Sequence, residues 1–209
     1  MNVLELFAGS RSIGKVAETL GYNVFSSDVN NFDKIDYVVD ILEFDISKLP
    51  FKPDIIWASP PCASYSLAGC FHHRKPNQQI SEFADKSDKM VKKTLEIINV
   101  MKPKYWFIEN PRALLRKQKF MRGLPRTTVW YCKYGHKTAK ITDIWSNNIY
   151  SLFNQNGWIP RPECYVGNKK CHHEPAPRGS NTGTIGLKNS YERSKIPPEL
   201  CFEILKSCI

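Results

Sequence analysis

From the first residue to about Gly123, short apolar runs alternate with stretches whose apolar residues recur every three or four positions. "NVLELF" is an apolar run closed by Gly9. "SIGKVAETLGY" follows, with Ile13, Val16, Ala17 and Leu20 on one helical face and Gly21 as a stop. "NVFSSD" and "DYVVDI" predict two more strands, and "DIIWAS" is apolar throughout, as a strand covered on both faces of a parallel sheet must be. Between Ser81 and Met101, residues Phe83, Val91, Leu95, Ile98 and Met101 fall at helical spacing, and Pro103 ends the helix. "KYWFIEN" is the next strand. The alternation predicts a Rossmann-like α/β fold, doubly wound around a mostly parallel sheet. Ligands of such sheets sit at the carboxyl ends of the strands. That rim gathers Ala8–Gly14, Asp28, Asp40, Ser59–Cys62 and Glu109-Asn110.

Beyond Gly123 the pattern changes. "RTTVWYCKYG" and "AKITDIWSN" are β-branched and aromatic, and predict two further strands. Residues 154–195 are rich in Gly, Pro, Asn, Lys and Cys and predict a small irregular insert that needs a staple. "IPPELCFEILKSC" predicts a closing helix with prolines at its start. The expected organisation is a catalytic domain over 1–147, an insert over 148–193, and a helix over 194–209 that returns to the domain.

Composition narrows the class. A chain of 209 residues with 42% hydrophobic content can bury one full core. No apolar run reaches membrane-spanning length, and "MNVLELFAGS" has no basic region ahead of an apolar one, so neither a membrane span nor a signal peptide is expected. Seven cysteines at irregular spacing argue against a disulfide framework and for reduced thiols in a cytoplasm. The net charge of +10 is unevenly placed: residues 1–60 carry five Lys and Arg against nine Asp and Glu, a balance of −4, and the rest carries +14. A basic portion that begins at Pro60-Pro61-Cys62 suggests a nucleic-acid partner.

Candidate chemistry lies on the predicted rim. "LFAGSRSIG" is a strand, a glycine turn and a helix start, where backbone amides can approach a ligand. Asp28 can accept both hydroxyls of a ribose, and Asp40 an adenine amino group, so together they point to an adenosine-type cofactor. Pro60-Pro61 stiffens the chain ahead of Cys62, and Glu109-Asn110-Pro111 brings a carboxylic acid to a neighbouring strand end. A thiolate nucleophile beside an acid that can donate a proton is a pair for covalent catalysis. Cys164, Cys171 and His173, which stands ahead of its neighbour His172 as fourth ligand, form a second constellation with Cys132 on the preceding strands. Three thiolates and an imidazole suit a closed tetrahedral zinc site; free cysteines are the alternative. Cys201 and Cys208 fall on the terminal helix as packing residues, and Cys70 stands apart.

"LELFAGSRSIG", "ASPPCASYS" and "FIENPRALL" resemble, in order and spacing, three motifs of the cytosine-C5 DNA methyltransferases. With "YCKYG", "TDIWSN" and "APRGSNTGT", the compact chain most resembles small phage and viral DNA cytosine methylases. The resemblance implies S-adenosylmethionine as cofactor, bound by Phe7, Ala8, Gly9, Ser10, Arg11, Ser12, Ile13, Asp28, Asp40, Ile41 and Pro60, with Ser194 from the final "RSKIPPELCFEIL" motif. It implies Cys62 as the nucleophile at cytosine C6, Glu109 at N3 and the exocyclic amine, and Asn110 as a brace for the Pro-Cys loop. The partner implied is double-stranded DNA with the target base flipped out, in the host cytoplasm if the chain is phage- or virus-encoded. Ser64, His72, His73, Arg74 and Lys75 follow the nucleophile, and Arg178 lies in the insert; all six are expected DNA contacts. Two departures stand out. The first motif reads Gly9-Ser10-Arg11-Ser12-Ile13-Gly14 where most relatives have Gly-x-Gly-Gly, and Lys140 and Thr142 stand where the family carries two arginines. RNA cytosine methylation and a catalytically weak nucleic-acid-binding protein remain open alternatives; oligomeric state is not legible.

Overall fold

The computed structural model describes residues 1–66, 72–74, 80–165, 167–174 and 189–209. The strands are β1 (Asn2–Leu6), β2 (Asn23–Asp28), β3 (Tyr37–Val38), β4 (Ile55–Ala58), β5 (Tyr105–Pro111), β6 (Arg126–Trp130) and β7 (Ile141–Ser146). The helices are α1 (Ser12–Thr19), α2 (Glu82–Met101), α3 (Ser190–Ser194) and α4 (Pro198–Lys206). One seven-stranded sheet runs in the order β3-β2-β1-β4-β5-β7-β6. Strands β1 to β5 pair in parallel, and β7 is antiparallel to both neighbours. The doubly wound, mostly parallel α/β fold expected from the alternation is the one observed.

Period-two alternation divides the central strands between two cores. Val3, Ile55, Trp57, Phe107 and Ile144 face one side, against α1 and the terminal residues Leu200, Cys201, Ile204 and Leu205. Leu4, Leu6, Ile56, Ala58, Ile108 and Trp145 face the other, against Val91, Ile97 and Ile98 of α2. Both faces are covered, so the central strands read as unbroken apolar runs.

Differences from the expected elements have local causes. "DYVVDI" pairs only over Tyr37–Val38, because Asp40 caps a 3-10 turn over Ile41–Glu43 by accepting from Leu42 N at 3.1 Å. Phe83, expected on the buried face of α2, is half exposed and packs on the His73 ring. Ser81 caps α2 through Ala84 N, at 3.2 Å. The boundary expected at residue 148 falls inside a packed unit, since Trp158 is buried in the same core as α4.

Glu5 fixes where α1 begins. By alternation it faces the side of Val3, and its two carboxylate oxygens accept from Ile13 N and Gly14 N, each at 3.0 Å. A carboxylate at a helix N-terminus fills orphan donors and meets the positive end of the dipole. Burial nevertheless pushes its carboxyl up to about 7, against the pull of those amides and of Arg11. A side chain at Gly14 would lie 2.7 Å from Glu5 Oε2 and 3.2 Å from Val24 Cγ1. Gly14→Ala should therefore lower stability by about 1–3 kcal/mol through overpacking. Urea denaturation checks this; an unchanged midpoint would mean that Glu5 moves aside freely.

Candidate active site

The loop from β1 to α1 is held in an uncommon backbone. Phe7 (φ 55), Gly9 (φ 47) and Arg11 (φ 54) are all left-handed. For the two non-glycine residues that costs about 1–2 kcal/mol each. Opposing hydrogen bonds hold it: Ala8 N to Ser27 O at 3.0 Å, Gly9 N to Asp28 Oδ2 at 3.0 Å, and Arg11 N to Ala8 O at 2.7 Å. Ser12 Oγ hydrogen-bonds Ser10 Oγ and accepts from Ile196 N at 3.1 Å, which docks the C-terminal segment on the loop.

An open cleft lies beside this loop, lined by Phe7, Ser27, Asp28, Val29, Val39, Asp40, Ile41, Pro61 and Met90. Its apolar walls can take a flat ring, and Asp28 and Asp40 supply acceptors. Asp28 Oδ1 already accepts from Asn30 N at 2.9 Å, and Asp40 pairs with Lys86 Nζ at 2.9 Å. The Lys86 hydrogen bond and the Leu42 amide hold the Asp40 carboxyl below its ordinary range. Three expected cofactor residues turn elsewhere. The Arg11 guanidinium is buried, giving Nε to Ser26 Oγ at 3.0 Å and pairing with Glu18 at 2.6 Å. The Ile13 side chain is fully buried in the core. Ser194 is exposed and its hydroxyl donates to Tyr191 O at 2.7 Å. Arg11, at φ 54, turns its side chain to Ser26 on β2 and Glu18 on α1, and Ile13 lies on the core-facing side of α1.

The Pro60-Pro61-Cys62 loop leaves β4 at Ala58 and is braced from several sides. Asn110 Nδ2, fully buried, donates to Pro60 O at 2.8 Å. Cys62 O accepts from Tyr65 N and Ser66 N, both at 3.0 Å, making a turn that leaves Cys62 exposed at the rim. Tyr65 is fully buried and its hydroxyl reaches Asp88 at 2.7 Å. Arg74 stacks over the Tyr65 ring at 4.3 Å, pairs with Asp88 at 2.6 Å and donates to Ser64 O and Ala84 O. Arg74 and Ser64, expected to contact DNA, are thus buried and spent on pinning this loop to α2. His73 bonds Ser81 Oγ at 2.9 Å, whereas His72 is exposed. Lys75, Cys70 and the "APRGSNTGT" stretch with Arg178 lie outside the described residues.

Glu109 lies within β5 and is buried. Tyr131 donates its hydroxyl to Glu109 Oε1 at 2.9 Å. Ser59, which accepts from Trp57 Nε1, bonds the same carboxylate. Because β7 runs antiparallel, its first residues return to the rim and bring Lys140 there. The ammonium sits 4.6 Å above the Tyr131 ring and donates to Arg193 O at 2.8 Å. Desolvation pushes the Glu109 carboxyl up, while Lys140, Tyr131 and Ser59 pull it back. Desolvation by the surrounding rim and the Glu109 charge push the Cys62 thiol up, while Lys140 and Arg193 draw it down; the open surface of Cys62 weakens the first of these. Cysteine, carboxyl and cation therefore share one electrostatic field.

The four sulfur and nitrogen atoms of Cys132, Cys164, Cys171 and His173 lie within 4.8 Å of one another. His172 points to His136 O instead. Cys201 and Cys208 are buried on or just after α4. Sequence reasoning missed Glu5, Met90, Tyr131 and Arg193. Only Glu5 carried a signal, as an acid on an inward position of an apolar strand.

The family of C-5 cytosine-specific DNA methylases matches residues 1–124, more than half of the chain. A "Probable DNA (cytosine-5)-methyltransferase" of Frog virus 3 (isolate Goorha) is 28% identical over 234 aligned residues, which cover all of this chain and all of that one. A prophage-encoded protein assigned as a DNA modification methyltransferase (E. coli) superposes with a TM-score of 0.55 at 14% identity, over 79% of this chain and 52% of that one. A mutant of Spodoptera frugiperda DNMT2 gives 0.50 at 14% identity, over 77% and 55%. The chain spans about half the length of these two solved structures, and the likeness to them is one of fold.

Arg74 tests the reading of the loop anchor. Arg74→Met should destabilise the protein by about 3 kcal/mol, because Asp88 is left buried without its partner. Thermal and urea melts check this. Full stability, with weakened binding of a polyanion, would restore Arg74 to the surface role that its sequence context suggests.

Proposed function

The chain belongs to the C-5 cytosine-specific DNA methylase family, and from that premise we propose how its residues methylate cytosine C5 in double-stranded DNA. The observation that carries the reading is the bond from Asn110, next to the buried Glu109, to Pro60 O at 2.8 Å, which ties the Cys62 loop to the end of β5. Cytosine C5 is too weak a nucleophile to attack a methyl sulfonium unaided. The Cys62 thiolate adds to C6, and Glu109, whose carboxyl burial pushes up, gives a proton to N3. Electron density then collects at C5. After transfer, the C5 proton passes to solvent as the C6–S bond breaks and releases the thiolate, and N3 returns its proton to Glu109, which restores the ring. Asn110 holds the Pro60 carbonyl, so the nucleophile keeps one position. Lys140 favours the thiolate and takes the place of the missing arginine beside the base.

S-adenosylmethionine fits the cleft beside the glycine loop: Phe7, Val29, Ile41 and Met90 would flank the adenine, and Asp28 would accept from the ribose. When bound it supplies the electrophilic methyl group. C5 and C6 are stacked inside a duplex, so the target base must leave it, at a few kcal/mol. His72, Lys75 and Arg178 are the remaining candidates for DNA contact, and residues 148–193 for reading sequence. A structural zinc ion in the Cys/His cluster belongs to the same reading. So does a cytoplasmic setting, which the likeness to a viral DNA methyltransferase supports; among the described residues, no helix is long and apolar enough to cross a membrane.

Three outcomes are expected. Cys62→Ala should abolish transfer yet keep cofactor affinity, and the wild-type protein should form a covalent complex with DNA that contains 5-fluorocytosine, whose fluorine cannot leave as a proton does. An active enzyme that never yields this adduct rules out the covalent route. Asp28→Ala should weaken S-adenosylmethionine binding by about 1.5–3 kcal/mol, the worth of hydrogen bonds to a charged group; unchanged calorimetric affinity removes Asp28 from the site. Lys140→Met should move both limbs of the pH–rate profile to higher pH. The lysine charge lowers the Cys62 thiol, so its loss delays thiolate formation on the acid side. The same charge lowers Glu109, so its loss keeps that carboxyl protonated further into the alkaline side. Limbs that stay in place would show that Lys140 does not act on either group.

A further inference from the structure

Cys132, Cys164, Cys171 and His173 come from two parts of the chain: the turn that follows β6, and the segment around residues 164–173. Ligands of a tetrahedral zinc with bonds of about 2.0–2.3 Å sit roughly 3.3–3.8 Å from one another. Cys164 Sγ and His173 Nδ1 are already 3.8 Å apart, and no pair of the four exceeds 4.8 Å. Three thiolates and one imidazole match zinc by softness and by geometry, and they leave no open position for chemistry. On binding, each thiol gives up its proton to solvent, so one zinc ion and three thiolates form a site of net charge −1.

What surrounds the site gives it a second role. Trp130 and Cys132 pack with Cys164, with Ala139, Ile141 and Cys171 against them. Their neighbours serve the other group: Tyr131 holds Glu109, and Lys140 lies over the Tyr131 ring. Cluster and catalytic group are thus held by adjacent residues of the same turn, just beyond the ends of β6 and β7. Tyr131 N to Ala139 O at 3.0 Å joins the two sides of that turn, and Glu174 N to Lys137 O at 2.9 Å ties the insert to the intervening loop. Lys140 itself sits at φ 22, a backbone position that only firm surroundings maintain.

We infer that zinc bound by Cys132, Cys164, Cys171 and His173 positions Tyr131 and Lys140, so that metal occupancy sets the charge environment of Cys62. The inference rests on the methyltransferase reading only for its biological meaning; the coupling itself can be read without turnover. The charged groups facing Cys62 are Glu109 from β5, Lys140 ahead of β7 and Arg193 from α3.

The test uses the full chain. Elemental analysis of the purified protein should give one zinc per chain, and cobalt substitution should give the thiolate charge-transfer and ligand-field bands of a tetrahedral site. Alkylation of Cys62 by iodoacetamide, followed against pH by peptide mass spectrometry, reads the thiol directly. Stripping the metal with a chelator, or Cys171→Ser, should shift that profile to higher pH, in the direction Lys140→Met shifts it. Returning zinc should restore the stripped wild-type protein but not the variant. Melting curves and S-adenosylmethionine affinity check that the nucleotide-binding half stays folded. Metal-free protein, or cobalt spectra without thiolate bands, would overturn the site. Loss of zinc with an unmoved Cys62 profile would overturn the coupling and leave a staple. A zinc-dependent Cys62 profile in a protein that never methylates DNA would uphold the coupling and reject the proposed reaction instead.

Discussion

Glu109 is a carboxyl group inside a β-strand, and the rest of the site is arranged around the cost of burying it. An isolated carboxylate in such surroundings would cost several kcal/mol. Two responses are open: supply donors and a cation, or keep the proton. This structure does both in part. The hydroxyls of Tyr131 and Ser59 and the charge of Lys140 favour the ionised form, while desolvation favours the neutral one. The balance leaves a carboxyl that can give a proton away and take it back. It also dictates topology. An all-parallel sheet would carry the start of the last strand to the far edge; the antiparallel β7 brings Lys140 back to the rim.

The same rim accumulates strain. Of the five non-glycine residues at positive φ among those described, Phe7, Arg11 and Lys140 lie on the rim, and Lys34 and Lys102 lie elsewhere. Each of the three on the rim is held by elements that are rigid for other reasons: the Glu5 cap on α1, the Asp28 bond to Gly9, and the joined ends of β6 and β7. Rigid strands and helices carry the strain so that loops at their ends can present amides, a thiol and an ammonium in one direction.

The sheet, the two covered faces and the rim were legible in the sequence because each rests on local periodicity. Strand ends, the Pro-Pro-Cys turn and the Glu-Asn pair are likewise local, and so is the Cys/His cluster up to the choice between two adjacent histidines. What was not legible depends on pairings far apart in the chain. Arg74 looks like a surface cation among His72, His73 and Lys75, yet Asp88 and the Tyr65 ring draw it inward. Arg11 sits amid cofactor-binding positions, and only its left-handed backbone reveals that its side chain leaves them. Tyr131 is one aromatic among several in "VWYCKYG" until β5 is set beside β7.

A short chain must reuse its elements, and the end of the β6–β7 pair shows how. Trp130 ends β6 and Ile141 begins β7, and the residues just beyond them face each other across a turn, tied by Tyr131 N to Ala139 O. Here Trp130, Cys132, Ala139 and Ile141 build a sulfur-rich cluster, while their neighbours Tyr131 and Lys140 serve the carboxyl. Anything that fixes the cluster therefore also fixes the turn that carries the cation. The insert reaches the chemistry through the backbone it locks rather than through side chains of its own.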